Sequence, residues 1–239
     1  MWAIVFFSLI CCGVGALPVP RYSWLFKCNT TVPYAHNVIL EVIEGQRLVA
    51  AAFQAGDTEG ARMHIRFTMS NDDGETWSDA QVVVQRNTSA WGPVLHFNVT
   101  TNSLLLFYAL SNSSTQTNFS NPGGDLFFIE SRDLGLTWGQ QRPMRFAGVT
   151  PPGEPKYLVN QMAITPTGAW VLPYGTTTAG YPNTTGRAGV LISRDAGKLW
   201  TSHPDLLFVI PPAPYVSAIL EPAVVYLSSG GLSDAHAHC

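Results

Sequence analysis

Three copies of one octapeptide constrain what this chain can fold into more than any other feature. Ser70–Trp77 reads S-N-D-D-G-E-T-W, Ser131–Trp138 reads S-R-D-L-G-L-T-W and Ser193–Trp200 reads S-R-D-A-G-K-L-W. Ser70, Ser131 and Ser193 are 61 and 62 residues apart. Self-similarity at a near-constant period means that each copy belongs to one supersecondary unit stacked on the next. Three short runs precede every copy. The first is His36–Val42, Val94–Val99 and Val159–Thr165; the second is Leu48–Phe53, Leu104–Ala109 and Ala169–Tyr174; the third is Met63–Met69, Gly124–Glu130 and Ala188–Ile192. Turn residues part the first from the second, at Glu44-Gly45, Thr101-Asn102 and Thr167-Gly168, and a fourth run follows, clearest at Ala80–Val84.

Four short strands per period predict an all-β chain, a β-propeller with one four-stranded blade per repeat. No stretch of helical period competes. A fourth unit begins at Ile219–Leu227 with a Gly230-Gly231 turn, and Ser233–Cys239 is an irregular tail. The blades are expected over residues 17–232. The 223 residues after residue 16 make about 3.7 blades at this period, against the roughly four to eight with which propellers close. Unpaired edges would be a liability. The expectation is therefore a truncated product of a longer gene, or a short form that needs a partner.

The formal net charge of −3 gives no basic face for nucleic acid. Only 12% of residues are charged, against about 25% in ordinary globular domains, so polarity rests on Ser, Thr and Asn. Residues 1–16 read as a signal peptide: Ala3–Gly15 is apolar but short for a membrane span, and Val14 and Ala16 flank a small-x-small cleavage pattern. A membrane anchor is the competing reading. Six Asn-x-Ser/Thr sequons, at Asn29, Asn87, Asn98, Asn112, Asn118 and Asn183, fit an exported glycoprotein, secreted or held in the lumen of the secretory or endolysosomal pathway. Cys28 and Cys239 remain after cleavage; they either pair or stay free. His236, His238 and Cys239 are metal-ligand types in a tail that reads as disordered. No metal or cofactor is expected.

Within each octapeptide the Gly (Gly74, Gly135, Gly197) supplies a positive-φ turn. The Asp (Asp72, Asp133, Asp195) accepts backbone N–H groups, and the Trp (Trp77, Trp138, Trp200) packs on a neighbour. Leu199 replaces Thr in the third copy, which predicts the loosest turn. Strand counting puts these turns at the end opposite the starts of the first strands, so the three Asp residues are structural. A site is expected where the inner strands start: His36, Asn37, Trp91, Pro93, Asn160, Gln161 and Glu221, with Asp57, Glu59 and Arg62 from the adjoining loop. The segments Asn112–Pro122 and Tyr181–Arg187 are the matching loops of the next two repeats. Each residue has a plainer reading beside the functional one. Asp57 and Glu59 also suit a solvated loop, His36 a bonded interior histidine, Trp91 a packing plate rather than a sugar platform, Asn160 a backbone cap, and Glu221 an exposed edge.

The octapeptide resembles the Asp-box. From about Pro33 to Leu232 the chain is similar to the sialidase superfamily, closest to BNR-repeat sialidase-like domains. The segments that carry the likeness are A-H-N-V-I-L-E-V from Ala35, E-G-A-R from Glu59, W-G-P-V-L from Trp91 and V-N-Q-M-A-I-T-P-T-G-A-W-V-L-P from Val159. The resemblance implies a six-bladed parent and an exo-glycosidase that removes terminal acidic sugars from glycoconjugates. Asp57 or Glu59 would then be acid/base, and Glu221 would activate a Tyr nucleophile. His36, Arg62, Trp91 and Asn160 would position the sugar. Such enzymes clamp the sugar carboxylate with three Arg forks. This chain has no Arg at Tyr34–His36 or Ala55–Gly56, where the first two would stand, and Arg62 and Arg66 match no clamp position. The third Arg and the Tyr would lie beyond Gly231. The alternative is a non-catalytic propeller that binds glycan or protein. The absent Arg residues favour it, as do the sequons Asn112, Asn118 and Asn183 on loops at the site end.

Overall fold

The computed structural model describes residues 22–58, 60, 62–111, 123–147, 155–177, 186–203 and 222–225. Among them every regular element is a strand. The first sheet runs in chain order through β1 (Tyr34–Ile43), β2 (Leu48–Gly56), β3 (His64–Ser70) and β4 (Gln81–Val84). The second repeats this with β5 (Ala90–Asn98), β6 (Ser103–Leu110), β7 (Asp125–Ser131) and β8 (Arg142–Pro143). In the third, β9 (Lys156–Tyr157) and β10 (Ala163–Ile164) share one edge of β11 (Trp170–Thr177), followed by β12 (Gly186–Ser193) and β13 (Thr201–His203). All pairings between these strands are antiparallel.

The second strands are apolar runs because both of their faces are covered. β6 (S-L-L-L-F-Y-A-L) is buried throughout and β2 nearly so. One core joins Ile39, Ile43 and Phe67 of the first sheet to Leu95, Leu104 and Tyr108 of the second. Another joins Val94, Phe107 and Leu126 of the second to Leu172, Leu191 and Trp200. The sheets thus stack face to face in chain order. The outer face of the first sheet is covered by the chain's own residues Leu25, Phe26 and Val32, with the Phe26 and Phe53 ring centroids 5.1 Å apart.

Each octapeptide links the third and fourth strands of its sheet through the same bonds. Ser70 Oγ donates to Asp72 Oδ1 at 2.7 Å, Gly74 N–H to Ser70 Oγ at 2.8 Å and Thr76 N–H to Asp72 Oδ1 at 2.8 Å. The second copy repeats them at 2.7, 2.7 and 2.8 Å and the third at 2.8, 2.8 and 2.9 Å. Two successive residues take positive φ: Asp73 and Gly74, Leu134 and Gly135, Ala196 and Gly197. Only the second position is Gly, because the first lies in the left-handed region that side chains tolerate at modest cost. Gly135 also touches the neighbouring sheet, where a Cβ would fall 2.2 Å from the Phe67 ring.

The third turn has one bond fewer than the other two. It lacks the Thr hydroxyl, which in the other two reaches the second Asp oxygen at 2.5 Å. Its Trp200 is the most buried of the three octapeptide tryptophans. That ring is fully buried, edge-on to Phe107 at 5.8 Å, and donates to Gly197 O at 3.1 Å. Trp77 donates instead to Ser23 Oγ at 3.0 Å. Trp138 lies edge-on to Phe67 at 5.2 Å, and its buried Nε1 has no partner among the described residues.

The inner strands depart from a uniform run. β1 carries a bulge between His36 and Ile39, and β5 one between Trp91 and Val94. In the third sheet the single run Val159–Thr165 is replaced by β9 and β10 on either side of residues 158–162. The signal-peptide segment, Glu59, Glu221, the sequons Asn112, Asn118 and Asn183, and the tail with Cys239 lie outside the described residues. So does most of the fourth unit, of which Pro222–Val225 are described and form no strand. Cys28 is exposed and free.

Candidate functional site

Register decides which end of the sheets each residue occupies. In the first sheet Val49 pairs with Ser70, so the octapeptide follows at that end, beside the β1–β2 turn. An Arg47–Asp73 ion pair of 2.6 Å joins the two turns. At the other end Tyr34 pairs with Gly56, and the loop carrying Asp57 and Arg62 continues from there. Asp72, Asp133 and Asp195 are thus a sheet's length from His36 and Asp57. Their carboxyls are held low by local donors. Asp72 and Asp133 fall to about 2, each through the Thr hydroxyl first and then the backbone N–H and Ser bonds; Asp195 is lowered chiefly by the Leu199 N–H.

At the His36 end the three breaks in the inner strands meet. Asn37 has φ 55° and Gly92 has φ 56°. Gln54 of β2 pairs in register with His36 and is 1% exposed. Its Nε2 lies 3.0 Å from His36 Nε2, while its Oε1 accepts from Asn37 Nδ2 at 3.1 Å and from the Gly92 N–H. One buried amide therefore ties the bulge of β1 to that of β5. Gly92 in turn abuts the third sheet: a Cβ there would fall 1.6 Å from the Leu158 carbonyl oxygen. Beyond that point Asn160 donates to Pro222 O at 3.1 Å, and Gln161 Nε2 donates to Leu40 O of β1. The first inner strand touches the second, the second the third, and the third returns to the first.

The candidate residues take different places in this arrangement. His36 and Asn160 are half-buried at the strand breaks. Asp57 and Arg62 form an exposed ion pair of 2.7 Å at the same end. Trp91 requires a correction as a sugar platform. Its ring is 3% exposed in the core between the second and third sheets and donates to Ser111 Oγ at 2.7 Å, so only its backbone borders the site. Glu59 and Glu221 are not among the described residues.

Sequence reasoning missed two features. Gln54 is the lone polar side chain in the run Leu48–Ala55, and that was its available signal. The second is Glu41 of β1 and His96 of β5. Glu41 Oε1 accepts the Phe97 N–H at 2.7 Å and lies 3.7 Å from His96 Nδ1. The His96 ring stands edge-on to Trp170 at 4.6 Å, so it spans all three sheets. Burial raises Glu41 to about 7, opposed by the Phe97 bond, and lowers His96 to about 4. Over mildly acidic pH both groups are neutral, and their proximity is a packing contact rather than an ion pair.

No metal-ligating cluster occurs among the described residues. Grooves of about 440 and 420 Å³ line the outer edge of the second sheet, beside Tyr108 and Gln141 and beside Trp138 and Arg142. Neither borders the His36 end.

The chain spans about two fifths to three fifths of three solved structures that it resembles. It covers 72% of its own length on 38% of the Hadza microbial sialidase Hz136, at 16% identity and TM-score 0.58. It covers 84% on 48% of the K499G mutant of NanB sialidase from Streptococcus pneumoniae, at 13% identity and TM-score 0.58. It covers 87% on 62% of an N-acetylgalactosamine deacetylase from F. plautii, solved with blood group B trisaccharide, at 14% identity and TM-score 0.58. At these identities the likeness is one of fold. No curated protein matches the sequence. A model of the BNR repeat-like domain matches residues 46–232, most of the chain. The chain therefore belongs to the BNR repeat-like domain family and carries a sialidase-like BNR-repeat domain.

Proposed function

We propose that this chain is part of an exported, sialidase-like β-propeller that acts on terminal sugars of glycoconjugates at the His36 end of its inner strands. The observation that carries the reading is the convergence of three broken inner strands on Gln54, Gly92 and Leu158. A propeller axis is where inner strands meet in this way, and bulges re-aim backbone and side chains toward a ligand. In this reading the octapeptides are Asp-boxes that clasp the outer strands and take no part in chemistry. Asp57 is the acid/base candidate, with Glu59 beside it in sequence; Glu221 would pair with a nucleophile. His36 and Asn160 position the sugar. Export brings N-glycans to Asn29 and Asn87, which are exposed.

A second reading, glycan binding without turnover, has its own support. Asp57 is tied to Arg62, and no Arg stands where a carboxylate clamp would need one. Full chain supplied with fluorogenic α-sialosides and neutral glycosides separates the two. Turnover that falls at least about tenfold in Asp57→Ala, the lower range for general acid–base catalysis being about a hundredfold, supports the enzyme. Binding without turnover supports the second reading. Neither binding nor turnover overturns both.

A further inference from the structure

We propose that Gln54 is a positioning residue that fixes the tautomer of His36, leaving its Nε2 bare and its proton on Nδ1. One donor beside Gln54 is not open to choice. The Gly92 N–H faces one end of the Gln54 amide, and a backbone N–H can only donate, so that end is the carbonyl oxygen Oε1. The Asn37 amide nitrogen, 3.1 Å from the same atom, agrees. The other end of Gln54 is then the NH₂ group. It lies 3.0 Å from His36 Nε2, and two N–H groups cannot face one another at that separation. His36 Nε2 must accept, and a neutral ring that accepts at Nε2 carries its proton at Nδ1.

The lock is firm because Gln54 cannot easily turn over. It is 1% exposed on a fully paired strand, and a flipped amide would set its NH₂ against the Gly92 N–H. Gly92 is itself held by positive φ and by contact with Leu158. The constraint therefore passes from the third sheet through β5 to β2 and then to the imidazole of β1. Beside the ring stand Tyr34, whose centroid is 5.2 Å away, and the Asp57–Arg62 pair at the same end. That the fixed ring meets a sugar rests on the carbohydrate reading above; the tautomer does not.

The test is the protonation of the two ring nitrogens of His36. It is read from long-range proton–nitrogen correlation spectra of the full chain labelled at histidine, at neutral pH and without ligand. The chain has six histidines, and the His36 signals are those lost in His36→Asn. The expected result is a bare Nε2 and a protonated Nδ1. In Gln54→Glu one carboxylate oxygen keeps the Gly92 and Asn37 bonds while the other faces Nε2, so His36 Nε2 gains a proton. A protonated Nε2 in the unaltered chain overturns the proposal, as does a bare Nε2 in folded Gln54→Glu. Should that variant not fold, the spectrum of the unaltered chain still decides. Because no ligand is involved, failure here is distinct from failure of the carbohydrate reading, which is judged by turnover and binding.

Discussion

Asp72 and Asp133 show how little an acidic, repeated signature says about chemistry until its bonds are known. Each carboxylate is saturated by its own turn, which depresses its pKa and makes it a fastener. Asp72→Ala and Asp133→Ala should each lower the melting midpoint more than Asp195→Ala, whose turn has one bond fewer. None of the three should alter glycan binding. Because the folded pKa is depressed, this stabilisation is present above the unfolded value of 3.8 and is lost as pH falls toward about 2. Glu41 and His96 act in opposite directions. Glu41, raised from 4.5 to about 7, favours the fold at low pH and loses that contribution as pH rises through this window. His96, lowered from 6.5 to about 4, favours the fold at high pH and loses it as pH falls. The two slopes cancel between them. Thermal melts across this range should expose each slope in turn. Stability should rise with pH in Glu41→Gln and fall with pH in His96→Gln, each by at most ~1.4 kcal/mol per pH unit. Parallel slopes in the two variants would sink the assignment. If the chain is exported as proposed, glycan occupancy should divide by burial. Asn98 is 8% exposed, whereas Asn29 and Asn87 lie at the surface. Mass spectrometry of the exported chain should find glycan at Asn29 and Asn87 and none at Asn98.

At the scale of elements, the breaks in the inner strands separate ordinary sheet from site. Gly92→Ala places a methyl group into the Leu158 carbonyl at a positive φ and should cost roughly 3 kcal/mol or more, read as a drop in urea midpoint. Leu106→Ala, in the buried middle strand of the second sheet, should cost about 2–5 kcal/mol without touching the site. The difference in origin explains what the sequence revealed. The runs at Leu48–Phe53 and Leu104–Ala109 announce buried middle strands because burial on both faces demands unbroken apolar residues, and they stand as β2 and β6. The octapeptides locate the third and fourth strands because the bonds of their first Ser and of the Asp two residues later lie within the turn itself. The breaks are another matter. A bulge at His36–Ile39 is tied to Gln54 and, through it, to Gly92 of another sheet; within A-H-N-V-I-L-E-V the one local signal is Asn37, whose φ of 55° suits an Asn. Glu41 and His96 were invisible for the same reason, since they meet only when two sheets stack. Trp91 was misjudged as a platform because exposure, unlike residue type, is settled by the third sheet.

For the whole molecule, stacking three alike sheets places every octapeptide at one end and every strand break at the other. The ends differ in kind. One is a rim of saturated local turns; the other is a junction where amides and backbone from different sheets satisfy one another. Residues 22–32 cover the outer face of the first sheet, so part of the surface that a neighbouring sheet would otherwise cover is already packed. In the proposed function, sugars engage the junction and leave the rim untouched. Hydrogen–deuterium exchange of the full chain, with and without saturating sialylated and neutral oligosaccharides, tests it most directly. The account predicts ligand-dependent protection in peptides spanning residues 34–38, 90–94 and 156–161, and unchanged exchange at residues 70–77, 131–138 and 193–200. Protection confined to those acidic turns, or no protection with any sugar, would contradict it.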